Sequence, residues 1–371
     1  MIYLDFAAST PVIPEVMEAM RPWFTDYYAN PSSSHQMGRQ AAEAIEKART
    51  TIADEIGAYP SEIIFTSGAT ESNNLAIKGI ALANRDKGCH IITSSIEHKC
   101  ILAICAYLEK EGFEVTYVDP DQEGVIHPEK VKEALRPDTI LVSIHHVNNE
   151  LGTIQPIEQI GALCLDRGIP FHTDAAQSFG KLDIDVDDLN IDLMSVSGHK
   201  IYGPKGVGAL YIRNVREAKI TPVIHGAGQE LGLRGGTMAT PLIVGFSSSI
   251  NISKKHYAKL AKNNNRQIFK ESMQGKFDFI VNSNQACMHI LNISVPILDT
   301  NRLFTYYNNS LSLSKGSACS SLTIEPSHVL KSIGLNSYLS EKSLRISFGI
   351  DTNNETIKET VSIISDSCNF F

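Results

Sequence analysis

The residues of this chain best suited to chemistry lie where apolar runs end. In the stretch SVSGHKIYGPKGVGALYI, residues 195–212, an apolar run ends at Ser197, and His199 and Lys200 follow among four glycines and a proline. A lysine amine loses its proton readily when it is buried or lies near other charges, and it can then form an imine. Glycine lets the backbone approach a ligand closely. The pattern therefore predicts a reactive amine at Lys200.

A second stretch, FTSGATESNN, combines a tight turn with the start of a helix. Gly68 forms the turn, and Ala69 and Thr70 open the helix. The free backbone N–H groups there, with the Thr70 hydroxyl, would hold an anion. An ordinary helix cap is the alternative for this position, because serine and threonine are common caps.

Polar residues end three further apolar runs. SSIEHK ends near His98, HHVNNELG contains Asn149, and FHTDAAQSFGK contains Asp174 and Gln177. A histidine or asparagine at such a position is often only a surface or turn residue. A carboxylate at the end of an apolar strand is costly without a positive partner, so Asp174 indicates a positively charged group beside it.

These side chains need a fold that brings them together. Apolar strands alternate with amphipathic helices up to about residue 245, which predicts an α/β fold with a mainly parallel sheet covered on both faces. Beyond it, a long polar helix at residues 248–274 and short strands predict a smaller α+β domain. Ligands of such sheets bind beyond the carboxyl ends of the strands. An anion cradle, an imine-forming lysine and an aspartate for a pyridinium nitrogen predict pyridoxal 5′-phosphate (PLP) as the cofactor.

Composition argues against several other classes of protein. The chain has 371 residues, 43% of them hydrophobic and 20% charged, and its net charge of −8 argues against nucleic-acid binding. We expect no membrane span, no signal peptide and a cytoplasmic location. Seven cysteines without a CxxC pair predict neither a disulfide framework nor a zinc knuckle. We expect most of them in the core, whereas Cys319 lies in SKGSACSS, a small polar loop.

The motifs follow the order and spacing of a known family. The matching stretches are YLDFAASTP, NPSSSH, FTSGATESNN, IITSSIEHK, VSIHHVNNELG, HTDAAQSFGK, DLMSVSGHKIYGPKGVGALYIR, RGGT, GSACSS and LRISFG. Over nearly its whole length the chain resembles the cysteine desulfurases of the aminotransferase class V family, which include iron–sulfur cluster and nitrogen-fixation desulfurases. The resemblance implies the fold type I of PLP-dependent transferases (aspartate aminotransferase-like). It further implies a large PLP-binding domain at 13–245 and a small α+β domain formed by 1–12 and 246–371.

The resemblance also implies how the cofactor would be held. Lys200 would bind PLP covalently, Asp174 would pair with its ring nitrogen, and Gln177 would bind its ring hydroxyl. His98 would lie over the ring and help to move protons. The residues implied around the phosphate, with Asn149 as a further cofactor contact, are Ala69, Thr70, Ser197, Gly198 and His199.

For the substrate, the resemblance implies L-cysteine, with its carboxylate held by Asn149 and by Arg345 in bidentate fashion. Cys319 would be the nucleophile that takes the substrate sulfur as a persulfide and releases alanine. A sulfur-acceptor protein, either a scaffold or a sulfur carrier, would then receive it. No resident metal is expected, although Cys319 could be a transient iron–sulfur ligand. Thr237 would reach the phosphate of the partner subunit's cofactor, which implies a homodimer.

Small departures from the family pattern leave the pathway open. The chain has RGGT where RSGT is common, Lys315 replaces a serine before Cys319, and the chain stops soon after LRISFG. Iron–sulfur cluster assembly and sulfur modification of tRNA or DNA therefore both stay open. The alternatives in activity are a selenocysteine lyase, another fold type I PLP enzyme such as an aminotransferase, or an inactive partner-binding subunit.

Overall fold

Strands and helices alternate along most of the chain, as the apolar pattern predicts. The computed structural model describes residues 1–315 and 327–368. Its strands are β1 (Ile2–Tyr3), β2 (Ile63–Thr66), β3 (His90–Ser94), β4 (Glu114–Val118), β5 (Thr139–Ser143), β6 (Phe171–Asp174), β7 (Leu193–Ser197), β8 (Gly208–Ile212), β9 (Ile280–Val281), β10 (Ile290–Ser294), β11 (Leu311–Ser312), β12 (Ser314–Lys315) and β13 (Ser343–Ser347). Its α-helices are α1 (Pro14–Met20), α2 (Pro22–Thr25), α3 (Gln36–Asp54), α4 (Ala69–Ala83), α5 (Lys99–Lys110), α6 (Pro128–Ala134), α7 (Ile157–Arg167), α8 (Thr240–Asn263), α9 (Asn265–Met273), α10 (Thr300–Tyr306), α11 (His328–Ser332), α12 (Ser337–Glu341) and α13 (Asn354–Asp366).

The main sheet has seven strands in the order β2-β8-β7-β6-β5-β3-β4. The five strands from β7 to β4 run parallel, and β8 is antiparallel to both of its neighbours. β2 therefore points the same way as the parallel strands. The carboxyl ends of β2, β3, β5, β6 and β7 all lie at one edge, and the predicted α/β fold with a mainly parallel sheet is confirmed.

The two faces of this sheet pack into separate apolar clusters. Ile91 and Ile92 are neighbours in β3, and because successive strand residues point to opposite faces, each belongs to a different cluster. Residues of α4 and α5 share the cluster of Ile91, and residues of α3 and α7 share that of Ile92. All residues of β3, β5, β6 and β7 are buried, so a polar side chain meets a ligand only where a strand ends.

A second, antiparallel sheet has the order β12-β13-β10-β9. α9 and α13 pack in its apolar cluster through Phe269 and Ile357. The start of the chain joins this cluster through Ile2 and Leu4, and β1 pairs with β11. The division of the chain into domains at residue 245 stays a prediction, and α8 runs across that residue.

The helix predicted over residues 248–274 is wrong as a single element. The structure divides this stretch into α8 and α9 at Asn264, whose backbone is left-handed, with φ 50° and ψ 44°. Asparagine reaches this conformation more easily than most residues that have a Cβ. The apolar pattern continues through the break, so periodicity alone does not reveal it.

We predict that Gly208→Ala lowers stability and disturbs the start of α4. A Cβ at Gly208 would lie 2.4 Å from the Val196 oxygen and 2.7 Å from Gly68 Cα, and neither backbone atom can move freely. Overpacking of this kind costs about 1–3 kcal/mol, and thermal unfolding would measure it. Gly168→Ala is the reference for backbone strain without overpacking, because Gly168 has φ +64° and open space around it. A Gly208→Ala protein as stable as the wild type would contradict the packing argument.

Candidate active site

A cavity of about 650 Å³ opens at the edge where the strand ends meet. Residues 7–9 of the N-terminal segment also line it. The structure brings ten of the predicted site residues to its wall: Ala69, Thr70, His98, Asn149, Asp174, Gln177, Ser197, His199, Lys200 and Arg345.

The amine of Lys200 reaches this cavity from a short 3-10 helix that directly follows β7. Its Nζ donates to the carbonyl oxygens of Ala7 at 2.6 Å and Ala8 at 2.8 Å. Burial, assisted by the nearby Arg345 cation, lowers the pKa of Lys200 to about 8. At pH 7 roughly a tenth of the amine is therefore uncharged and able to attack an aldehyde.

Asp174 ends β6 as a buried carboxylate whose two oxygens are both bound. Its Oδ2 accepts from Asn73 Nδ2 at 2.8 Å, and its Oδ1 accepts from the backbone N–H of Ala176 at 2.9 Å. Each carboxylate oxygen has a second lone pair, so Asp174 can still accept from a protonated ring nitrogen. Sequence reasoning missed Asn73, although it lies in FTSGATESNN one helical turn after Ala69 and so could have been placed on the same face.

His98 caps α5 and faces the cavity with its ring. Its Nδ1 accepts from the backbone N–H of Cys100 at 3.2 Å and lies 3.0 Å from Cys100 Sγ. Burial lowers the pKa of His98, which favours the neutral ring. Its proton then lies on Nε2, because Nδ1 is the acceptor. Most of the cysteines were expected in the core; Cys100 lines the cavity, and burial raises its pKa to about 12. Its thiol is therefore protonated at neutral pH.

The start of α4 forms an anion site together with the end of β7. Gly68 has φ 149°, which favours glycine, and a Cβ there would point into the gap 3.8 Å from Ser197 Oγ. The first backbone N–H groups of the helix have no intrahelical acceptors, so they face this gap as donors. His199 lies beside it, with Nδ1 3.1 Å from Ser9 Oγ, and burial lowers the pKa of His199 to about 4. The imidazole of His199 is therefore neutral at pH 7, and it can contact a phosphate bound at this site.

Arg345, in β13, lies on the other side of the cavity. Its Nη2 donates to Asp5 Oδ1 and to Ser314 Oγ, both at 2.8 Å, and its Nη1 donates to the Asn149 carbonyl at 2.9 Å. Its buried Nε has no hydrogen-bond partner within residues 1–315 and 327–368. A buried donor without a partner is costly, and a ligand carboxylate would satisfy it.

Three predicted residues do not line the cavity in the structure. Gly198 is buried below it, where a Cβ would lie 3.0 Å from Val207 Cγ1. Thr237 is exposed on a loop that Arg234 connects to the first turn of α4 through an ion pair with Glu71 at 2.9 Å. Cys319 lies outside the described residues.

Comparison with known proteins agrees with this geometry. The family model described as aminotransferase class-V matches residues 2–359. The cysteine desulfurase IscS of Rickettsia bellii is 46% identical over 374 residues, which cover 99% of this chain and 91% of that protein. The chain belongs to the cysteine desulfurases of the class-V aminotransferase family.

Solved structures of this family have the same fold. The structure "SspA in complex with cysteine" is 48% identical, has a TM-score of 0.84 and covers 94% of this chain and 99% of its own. A NifS-like protein is 34% identical, with a TM-score of 0.91 and 98% coverage of both chains. The resemblance inferred from the motifs is thus confirmed.

In the part of the chain that the structure describes, no cluster of three or more histidine, cysteine, aspartate or glutamate side chains could hold a metal ion. Within the same residues, no helix is both long and apolar enough to cross a membrane.

We predict that the Lys200 amine of the cofactor-free protein reacts with a half-maximal rate near pH 8. Its pKa of about 8 lies below the ordinary lysine value of 10.5, so the neutral amine forms over a lower pH range. Pulse labelling with acetic anhydride, read by peptide mass spectrometry, measures this midpoint, and exposed Lys276 serves as the reference in the same molecule. A Lys200 midpoint near 10.5 would contradict the structure.

Proposed function

We propose that this chain is a PLP-dependent cysteine desulfurase that converts L-cysteine to L-alanine and carries the released sulfur as a persulfide on Cys319. The observation that carries the proposal is an amine of low pKa in a cavity between an anion site and a buried carboxylate. Membership of the cysteine desulfurase family supports the same activity. When bound, PLP supplies an electron sink for bonds at the substrate α-carbon.

The cavity has a fitting group for each part of this cofactor. The helix start at Ala69 and Thr70, with Ser197 and His199, would bind the phosphate. Asp174 would hold the ring nitrogen protonated, and Lys200 would bind the aldehyde carbon. The gap that a Cβ at Gly68 would fill is the observation in this chain that best matches a phosphate.

Lys200 and His98 are the groups that would move protons. A lysine with a pKa of about 8 exists in both protonation states at neutral pH, so it can accept the substrate α-proton and return it. His98 has a lowered pKa and is expected to be neutral, and because its Nδ1 accepts from the Cys100 N–H, its Nε2 carries the proton and can donate it toward the cavity. Arg345 and Asn149 would orient the substrate carboxylate at the opposite wall.

The sulfur transfer balances without an outside oxidant. The Cys319 thiolate would form an S–S bond to the substrate sulfur while the substrate C–S bond breaks. The carbon left behind takes up a proton and departs as alanine, and Cys319 keeps the persulfide. A sulfur-acceptor protein would then take the terminal sulfur from Cys319. The desulfurase itself would work as a homodimer in the cytoplasm. Iron–sulfur cluster assembly and sulfur modification of tRNA or DNA are the two candidate uses of this sulfur.

We predict that Cys319→Ala abolishes persulfide formation and slows alanine release by at least about a hundredfold, because no thiolate accepts the sulfur. Visible absorbance of bound PLP stays as in the wild type. Mass spectrometry after incubation with cysteine reports the persulfide, and Cys89→Ala is the matched control, since Cys89 packs beside an apolar cluster.

The same sample tests the cofactor itself. Borohydride reduction is expected to leave a pyridoxyl mass on the peptide that contains Lys200. An unmodified Lys200 peptide after reduction would refute the proposed function, and full desulfuration by Cys319→Ala would refute the role of the thiol.

We also predict that Arg345→Lys raises KM for cysteine about tenfold to a hundredfold and changes kcat less. Lysine keeps the charge but has no donor at the position of the buried Arg345 Nε, which the substrate carboxylate would bind. Steady-state kinetics measure this, with thermal unfolding as a check, because Arg345 also binds Asp5 and Ser314. Arg136→Lys, in an exposed ion pair, is the control. An unchanged KM would place the substrate carboxylate elsewhere.

A further inference from the structure

Lys181, the last residue of the stretch FHTDAAQSFGK, has no role in the reaction described above. Its Nζ donates to Gln177 Oε1 at 3.2 Å and lies 5.3 Å from the centre of the Tyr257 ring. No carboxylate forms an ion pair with Lys181 within residues 1–315 and 327–368. An enclosed amine without an acidic partner is costly, because burial disfavours its charge. This burial lowers the pKa of Lys181 to about 7.

The titratable neighbours of Lys181 supply no negative charge, and the nearby amine of Lys200 further disfavours a positive charge on Lys181. His289 is buried, and burial holds its pKa well below the ordinary value, so its ring is neutral. Tyr257 and Cys287 are buried as well, and burial raises both of their pKa values, so neither is an anion at neutral pH. The amine donates a hydrogen bond to the side chain of Gln177.

Both ends of the Gln177 amide are held in the same orientation. Gln177 is 3% exposed, its Oε1 accepts from Lys181, and its Nε2 donates to the Ala7 carbonyl at 2.8 Å. If the amide were rotated by 180°, its oxygen would face the carbonyl and its NH₂ group would face the ammonium. A carbonyl can only accept, so the contact with Ala7 would be lost, and the contact with Lys181 would be lost whenever its amine is charged.

This orientation decides what Gln177 offers to the cavity. The amide nitrogen has two hydrogens, and one of them binds Ala7. The second is available to a ligand in the cavity that Gln177 lines. The ring oxygen of PLP is an acceptor, so it needs a donor at this position, and an amide turned the other way would present an oxygen instead.

We propose that Lys181 is a positioning residue that holds the Gln177 amide with its NH₂ group toward the cavity, so that Gln177 donates to the ring oxygen of the cofactor. The inference rests on the proposed function, since it requires bound PLP. It assigns to Lys181 an effect on the cofactor that acts through Gln177 alone.

The test compares Lys181→Met with the wild type by titrating the visible absorbance of the PLP-loaded protein with pH. A donor to the ring oxygen stabilises the form that carries more negative charge on that oxygen. Without Lys181 the donor is less well held, and we expect the pH midpoint of the band to rise by about one unit. The dissociation constant of PLP, measured by titrating the cofactor-free protein, is expected to rise about tenfold.

Two further variants separate positioning from charge and from packing. Lys181→Gln keeps a donor and loses the charge, so its midpoint is expected nearer to that of the wild type than that of Lys181→Met. In a Gln177→Ala background, Lys181→Met is expected to shift the midpoint no further, because the group it holds is missing. Lys276→Met is the matched control for loss of an exposed lysine, and thermal unfolding shows that each variant is folded.

The outcomes are distinct. An unchanged midpoint in folded Lys181→Met overturns the inference, and so does a shift of equal size with and without Gln177, which would mark a direct effect of charge. A wild-type protein that shows no visible band after loading with PLP overturns the proposed function, and the inference with it.

Discussion

The amine of Lys200 is held by carbonyl oxygens, and the rest of the site depends on that choice of acceptor. A carboxylate at hydrogen-bond distance would favour the ammonium form, whereas neutral carbonyls satisfy the donors and favour it less. The acceptors belong to Ala7 and Ala8, almost two hundred residues earlier in the chain. The N-terminal segment therefore positions the amine, while burial and the Arg345 cation lower its pKa to about 8.

The N-terminal segment is fixed from both sheets. The backbone N–H of Ala7 donates to Ser347 Oγ, at the end of β13 in the second sheet, at 2.9 Å. Thr10 donates through its backbone N–H and its hydroxyl to the carbonyl of His199, which follows the main sheet. Asp5, which belongs to the same N-terminal segment, accepts a hydrogen bond from Arg345 in β13. The amine that would bind the cofactor and the guanidinium that would bind the substrate thus share one support, and a displacement of that support would affect both.

Residue type and strand ends were enough to predict Asp174 and Lys200, because few side chains are reactive and a parallel sheet places its carboxyl ends together. Asn73 and Lys181 were missed, because each acts on a predicted residue through a contact that depends on how helices and turns pack. The acceptors of Lys200 are backbone groups, which every residue has, so no residue type marks them. The break at Asn264 was missed for a related reason, since apolar periodicity continues through a single left-handed residue.

The charges around the cavity are arranged so that substrate binding would change the pKa of Lys200. His199 and His98 have lowered pKa values, so neither adds a full positive charge at neutral pH. Burial is the largest cause of the low pKa of Lys200, and the field of the positive charge of Arg345 is the second largest. A substrate carboxylate on Arg345 would cancel part of that field and raise the proton affinity of the amine. Once released from the cofactor, the Lys200 amine would then be more basic while the substrate α-proton lies within reach.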